Sequence, residues 1–432
     1  MTTVPFSVRG KKVAVVGAAR SGIAAAELLV RRGAQVTLTD VKSRLDDEAR
    51  LHGAGITLEL GGHRELTLTS ADLVVLSPGV PSTQPAIEAA RRAGVPIMGE
   101  LELASRWLRG RLVAITGTKG KSTTTTLTGR MLEAGGHRVL VGGNIGHALS
   151  AQVELSTTDT IHVVEASSFQ LEATATLRPW IAVLLNFSPD HLDRHASVEE
   201  YAQAKARIFA QQEPEDWAVL NADDDPSLAI AGATRARRVL FSAGDRLREG
   251  VVIAGSAIVR RTAAGEQPLV PLSAVRLIGR HLVADVVAAA AVASIAGVDA
   301  AAMTRAVSSF TGLEHALEPV AEIGGVRFVN DSKATNIAAA RRAIESFGEG
   351  VVVIMGGKFK GGDFRDLAEP LAARRATVVA LGEAVPMIRD ALTGRVMVLI
   401  GIIYKCGETR SCERLPDQAL DRKRVFVLRN PG

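Results

Sequence analysis

Leu112-Val113-Ala114-Ile115-Thr116-Gly117-Thr118-Lys119-Gly120-Lys121-Ser122-Thr123 decides the architecture of this chain. An apolar, partly β-branched run enters a glycine turn, and helical character follows from Thr124 to Glu133, which predicts strand, turn and helix N-terminus. Such a junction is a phosphate cradle. Its glycines let backbone N–H groups converge on phosphate oxygens, Lys121 neutralises the β/γ charge, and the Ser122 hydroxyl is suited to Mg²⁺. The spacing is the tight Gly-x-x-Gly-Lys-Ser, because Ile115 occupies the position five before Gly120. A chain that binds ATP or GTP is expected.

Working outward, the N-terminal segment predicts a βαβ unit. The run Val13-Ala14-Val15-Val16 leads through Gly17-Ala18-Ala19-Arg20-Ser21-Gly22 into a helix ending near Arg32, then into Gln35 to Asp40. This is a Rossmann-like half in which Ala19 replaces the middle glycine of a dinucleotide fingerprint and Asp40 takes the ribose-reading place. A further strand, Leu73-Val74-Val75-Leu76, runs into Ser77-Pro78-Gly79-Val80-Pro81. Both loops belong on one edge of a small sheet, which suits a nucleotide-sugar phosphate.

In the middle segment, Ile161-His162-Val163-Val164 ends in Glu165, and Ile181 to Leu185 ends in Asn186, shortly before Asp190-His191-Leu192-Asp193. In a parallel sheet these strand ends share the carboxyl edge, placing Lys121, Ser122, Glu165 and His191 around one crevice. A third α/β segment follows, with strands at Val326–Val329, Val351–Ile354 and Ala376–Leu381. Its polar loops are Asn330 to Asn336 and Gly356 to Gly361. The expectation is an α/β chain of three domains: a Rossmann-like N-terminal domain (1–97), a central mononucleotide-binding domain (98–311) and a C-terminal Rossmann-like domain (312–432).

Length alone favours more than one core, since 432 residues exceed what a single core organises. The N-terminus lacks the continuous apolar stretch of an export signal, and the most apolar run, Val286 to Val298, is too short to span a bilayer. Two cysteines, Cys406 and Cys412, make neither a disulfide framework nor a zinc site, so a reducing cytoplasm is the expected home. The net charge is +5, but from Gly401 onward seven Lys/Arg face four Asp/Glu, leaving only +2 for everything before. No basic, aromatic-interleaved surface stands out, and neither nucleic acid nor membrane is expected as a partner.

Glu165 at a strand end suits Mg²⁺, which needs few protein oxygens beside phosphate and water. His191 is a less usual ligand for that ion, and an ordinary loop histidine is the plainer explanation. Ser197-Val198-Glu199-Glu200 is a capping pattern that starts a helix at Val198 and puts Tyr201, Lys205 and Phe209 on one face. A lysine lying along an apolar surface is the simple account of Lys205. A buried lysine, however, has a lowered pKa, and its neutral amine can add CO₂ to give a metal-bridging carbamate.

Six strings of residues occur together in order: Gly117 to Thr123, Gly142-Gly143-Asn144-Ile145-Gly146, Glu165 to Leu171, Asn186 to Arg194, Asn221-Ala222-Asp223-Asp224, and Asn330 to Asn336. On them the chain resembles the Mur ligases from about Lys12 to Gly394. The second and last strings favour the members that add D-glutamate to UDP-N-acetylmuramoyl-L-alanine. The resemblance implies an ATP-dependent amide ligase of cytoplasmic peptidoglycan synthesis, acting through an acyl phosphate, with two Mg²⁺ ions and a monomeric state. It implies that Gly117, Thr118, Lys119, Gly120, Lys121, Ser122 and Thr123 hold ATP, together with Asp331 and Lys333. The metals would be held by Ser122, Glu165, His191 and carbamylated Lys205, and catalysis would rest on Lys121, Lys205 and His191. UDP-sugar binding is implied for Arg20, Ser21, Asp40, Lys42, Ser77, Pro78, Gly79 and Asn144, and D-glutamate binding for Thr335 and Lys360.

Three departures accompany the resemblance. Leu282 and Asp285 stand where an Asn-x-x-Asn pair is usual, and Ala316 follows His315 where an arginine is usual, leaving Lys119 as a possible substitute cation. From about Arg395 the familiar ending is absent, which predicts a poorly packing tail and an incomplete amino-acid site. Rival readings are a folylpolyglutamate-type or sister amide ligase, an NAD-dependent dehydrogenase resting on the first glycine turn, and a binding-competent but inactive protein.

Overall fold

The computed structural model describes residues 6–191, 194–277, 279–357, 362–400 and 424–427. The chain forms two compact units, Met1–Ala274 with Ala284–Val307, and Val275–Val283 with Ser308–Gly432. Three sheets organise them, as the α/β reading of the sequence anticipates.

The first sheet has five parallel strands in the order Ile56–Leu60, Gln35–Asp40, Lys12–Val16, Leu73–Leu76 and Ile97–Gly99. Strand order reverses around Lys12–Val16, so the crevice beyond its carboxyl end, flanked by residues 17–22 and 77–81, is the ligand position of an open α/β sheet. Helix Arg20–Arg31 covers one face, with Leu28 and Leu29 fully buried.

The second sheet holds nine strands. At its heart Arg111–Thr116 lies between Thr160–Glu165 and Ile181–Leu184, all parallel. Thr160–Glu165 and Ile181–Leu184 are buried along their whole length, as strands covered on both faces must be. Burying each Val, Leu or Ile contributes about 1.5–3 kcal/mol. Arg138–Gly143 completes the parallel edge, while Gly250–Ala254, Ala257–Thr262 and Gly265–Pro271 close the opposite end as an antiparallel meander. The Ala-rich run lies in helix Arg280–Ile295, where Val286 to Ala293 are fully buried, as suits a helix apolar on every side.

The second unit carries a sheet of six strands in the order Glu318–Ile323, Val326–Asn330, Arg424–Val427, Val351–Gly356, Thr377–Leu381 and Met397–Ile400. The backbone of Arg424–Val427 pairs in parallel with both Val326–Asn330 and Val351–Gly356. That part of the C-terminal segment therefore sits inside the sheet, a correction to the expectation that the tail as a whole packs poorly. The rest of the segment from residue 401 lies outside the described residues. Among the described residues no helix is long and apolar enough to cross a membrane.

Candidate functional site

The helix after Thr116 begins at Lys121, one turn earlier than Thr124, and its N-cap Gly120 takes φ +83°. A side chain there would be strained, and a Cβ would stand 2.2 Å from Asp285 Oδ1, so glycine alone lets the loop close on this carboxylate. Lys121 bends back to donate to the carbonyls of Gly117 (3.1 Å) and Thr118 (2.9 Å). Burial lowers its pKa, against the opposing pull of Glu165.

The loop is held from below by a residue the sequence analysis did not single out for a role. Asn186, just past strand Ile181–Leu184, accepts from the Lys119 N–H at 2.9 Å and donates to the Lys119 carbonyl at 3.0 Å. This double clamp sends the Lys119 ammonium to Asp190 Oδ2 at 3.1 Å. Burial raises the Asp190 carboxyl, but the charge and hydrogen bond of Lys119 outweigh it and leave the pKa below the ordinary value.

Because Arg138–Gly143 runs beside Thr160–Glu165, Gly143 pairs with Glu165 and the following residue reaches the same strand end. Asn144 Nδ2 donates to Glu165 Oε1 at 2.8 Å, and Ser122 Oγ donates to Oε2 at 2.7 Å. Glu165 is 2 % exposed. Lys121, Ser122, Asn144 and Glu165 thus meet at the carboxyl edge of the central sheet, where strand order places them.

Helix Val198–Ala206 starts at the expected residue, with Ser197 Oγ accepting from the Glu200 N–H. It ends before Phe209, which falls in a 3₁₀ turn, so the anticipated three-residue face is two residues of α-helix plus a buried neighbour. Lys205 is 1 % exposed and does not reach water along an apolar surface. Its ammonium donates to the Gly117 carbonyl at 2.9 Å and lies 4.6 Å from the Tyr201 ring centre. Burial, then the neighbouring Lys121 charge, push its pKa down to about 7. Tyr201 in turn hydrogen-bonds the Thr118 hydroxyl at 3.3 Å.

His191 is exposed and has φ +56°, a left-handed conformation uncommon outside glycine. Its ring meets the edge of Phe169 with centroids 5.1 Å apart. The buried His195, also missed from sequence, stacks on Phe169 at 5.3 Å and bonds Ser168 Oγ at 2.9 Å.

The residues present fit a magnesium site of the expected kind. Glu165 is a buried carboxylate with the Ser122 hydroxyl beside it at the mouth of the glycine loop, so its negative charge and oxygen chemistry suit a hard ion beside phosphate. Among the described residues no group of three or more His, Cys, Asp and Glu gathers as a self-sufficient metal site.

In the first sheet, Asp40 is largely occupied by its own backbone: Oδ2 accepts from the Ala18 N–H (2.6 Å) and Oδ1 from the Lys42 N–H (2.8 Å). It clips the glycine turn to the next loop. Gly17 has φ +96°, and a Cβ there would come 2.7 Å from Val80 Cγ2, so residues 17 and 80 are in close approach. Arg20 donates to the Gly146 carbonyl at 3.1 Å, linking this turn to the Asn144 loop.

In the second unit, Asp331 is buried and accepts from the Leu317 N–H at 3.0 Å; burial raises its pKa to about 7. The Lys333 N–H donates to the His315 carbonyl at 3.0 Å, which sets the Ala316 turn beside the Asp331 loop. Thr335 is exposed in that loop, and Asn336 caps helix Ile337–Glu345 through the Ala339 N–H. Lys360 lies outside the described residues. Leu282 packs against the apolar core of this unit.

Comparison with known proteins follows the same lines. Residues 11–99 match the family "Mur ligase MurD-like, N-terminal domain", and residues 115–293 match "Mur ligase middle domain". A UDP-N-acetylmuramoylalanine--D-glutamate ligase of Acidobacterium capsulatum is 48 % identical over 399 residues, 91 % of this chain and 87 % of that protein. The like-named protein of Koribacter versatilis is 44 % identical over 392 residues, covering 90 % and 86 %. Among solved structures, a UDP-N-acetylmuramate-alanine ligase from Thermotoga maritima superposes with a TM-score of 0.59 at 20 % identity, covering 98 % of this chain and 96 % of its own.

Proposed function

Because the chain belongs to the Mur ligase family of ATP-dependent ligases, we propose that it joins D-glutamate to UDP-N-acetylmuramoyl-L-alanine in the cytoplasmic stage of peptidoglycan synthesis. The observation that carries this reading is the convergence of Lys121, Ser122, Asn144 and Glu165 at one sheet edge, with Lys205 on the Gly117 carbonyl of the same loop.

An unactivated carboxylate is a poor electrophile. One carboxylate oxygen of the precursor attacks the γ-phosphorus of ATP, ADP departs, and the acyl phosphate carries a competent leaving group. The D-glutamate amine then attacks the carbonyl carbon, loses a proton, and expels phosphate. Lys121, released from the Gly117 and Thr118 carbonyls, neutralises the transferring phosphoryl group. Asn144, oriented by Glu165, faces the acceptor end of the precursor. Ser122 would hold one Mg²⁺, and Glu165, His191 and Lys205 as its carbamate the other, and these ions would offset phosphoryl charge. The low pKa of Lys205 supplies the neutral amine needed for that modification.

In this reading residues 1–97 take the uridine precursor through Arg20, Ser21, Lys42 and the Ser77-Pro78-Gly79 loop, with Asp40 shaping the turn. Residues 98–311 take ATP, and 312–432 contribute Asp331 and Lys333 to the nucleotide and Thr335 and Lys360 to D-glutamate. Phosphate release from ATP and UDP-N-acetylmuramoyl-L-alanine, measured with and without D-glutamate, tests the proposal. Release that depends on D-glutamate is expected; precursor binding with no release marks an inactive protein and overturns it.

A further inference from the structure

Arg194 joins the loops of the first sheet to the site of the second. Its guanidinium donates to the Gly79 carbonyl (3.2 Å) and the Val80 carbonyl (3.5 Å), in the loop beyond strand Leu73–Leu76. The same group lies 4.3 Å from the Phe169 ring centre. Phe169 is fixed by its place in the short helix Ser168–Glu172, which a reciprocal Ser167–Gln170 capping box starts directly after Glu165 and Ala166. Its other ring neighbours are His191, in an edge arrangement, and the stacked His195 ring. The backbone closes the circuit, since the Arg194 N–H donates to the His191 carbonyl at 3.0 Å.

At the far end of this link, Val80 packs on Gly17, so the carbonyls that Arg194 holds belong to the wall of the crevice between the first sheet's glycine turn and residues 77–81. A planar fork that donates to two adjacent carbonyls while stacking on an aromatic face is a task for arginine; a lysine ammonium supplies charge without either geometry.

We infer that Arg194 is a positioning residue that couples a uridine-diphosphate precursor in the first-sheet crevice to the setting of His191, and so to magnesium-nucleotide binding at the central sheet. The inference rests on the ligase reading above. A ligand that orders residues 79–80 holds the guanidinium, the guanidinium holds Phe169, the Arg194 N–H holds the His191 carbonyl, and His191 is presented in one orientation. Coupling is reciprocal, so nucleotide tightens precursor binding by the same factor.

The test measures affinity for a non-hydrolysable ATP analogue with Mg²⁺, by calorimetry, with and without saturating UDP-N-acetylmuramoyl-L-alanine. In the unaltered protein the precursor is expected to tighten nucleotide binding by roughly 5-fold or more. In Arg194→Lys that factor falls below about 2-fold, while nucleotide affinity in the absence of precursor stays within about 2-fold of the unaltered protein. Phe169→Leu, which removes the other face of the link, gives the same loss, and the double variant adds nothing further. Coupling that survives in both variants overturns the inference, as does an equal loss of both affinities accompanied by a lowered melting temperature. Absence of D-glutamate-dependent phosphate release in the unaltered protein refutes the ligase reading instead, whereas release without coupling refutes Arg194 alone.

Discussion

Lys205→Met probes the electrostatics of the site with no substrate present. An ammonium whose pKa is pushed from 10.5 to about 7 by burial and by Lys121 is a standing cost to the fold. At about 1.4 kcal/mol per pH unit the upper bound is roughly 5 kcal/mol, felt in full at and below pH 7. The sign follows from proton counting: between pH 7 and 10.5 the unfolded chain binds a proton that the folded chain does not, so stability rises with pH across that window. Methionine fills similar volume beside Tyr201 and has nothing to titrate. The variant should therefore be the more stable protein near pH 7, and the unaltered protein should gain on it by up to about 4 kcal/mol on going to about pH 10. Urea unfolding midpoints in CO₂-free buffers, taken at intervals from about pH 6 to about pH 10, give the difference curve. A difference that stays flat refutes the buried-amine argument. The same variant should lose turnover, with no rescue by bicarbonate; near-normal turnover would remove the carbamate from the mechanism even if the stability curve behaves as expected.

Gly120→Ala should cost about 1–2 kcal/mol for the left-handed backbone, more for displacing Asp285, and should weaken nucleotide binding at least about tenfold. Gly136→Ala is its control: φ is +84° but nothing lies within 4 Å, so stability should fall while nucleotide affinity measured by calorimetry does not. Asp331 titrates in the opposite sense to Lys205, because its raised pKa means the folded chain holds a proton between pH 3.8 and about 7 that the unfolded chain has lost. Stability therefore falls with rising pH across that window and levels off above about 7, and Asp331→Asn, which still accepts from the Leu317 N–H, should melt above the unaltered protein at pH 8; melting below it refutes the assignment. Glu165→Gln retains a group for Ser122 but removes the charge, and should weaken the Mg²⁺ dependence of phosphate release by about 10–100-fold with an unchanged melting temperature.

The parts of the site written in consecutive residues were the legible ones. A β-branched run followed by Gly-x-x-Gly-Lys-Ser reports a local conformation, and the carboxyl-edge rule then places Glu165 beside it, whereas Asn144 is marked only by the family resemblance. What escaped is non-local. The Asn186 clamp on Lys119 spans 67 residues, the Lys119–Asp190 pair 71, and the Arg194 bond to Gly79 115. Each depends on which strands are neighbours, and no periodicity in the sequence encodes that. Asp40 illustrates the same limit at short range. Its position after the second strand was recognised, but a carboxylate there can face a ligand or its own backbone, and only the geometry shows it clipping Ala18 to Lys42.

The departures at 282 and 285 become intelligible on the same grounds. Leu282 adds to an apolar core, so an asparagine there would set an amide against apolar side chains. Asp285 instead faces the phosphate loop, where its charge raises the pKa of Lys121 while burial lowers it. A carboxylate pressed on the glycine that must receive phosphate is an odd choice for affinity, yet it helps keep Lys121 cationic in the presence of the Lys119 and Lys205 ammonium groups. The loop thus balances Lys119, Lys121 and Lys205 against Asp190, Glu165 and Asp285. Asp285→Asn should accordingly lower the Lys121 pKa and tighten nucleotide at low pH while losing that gain as pH rises through the new value. A nucleotide affinity that tracks pH identically in both proteins would show that Asp285 only packs.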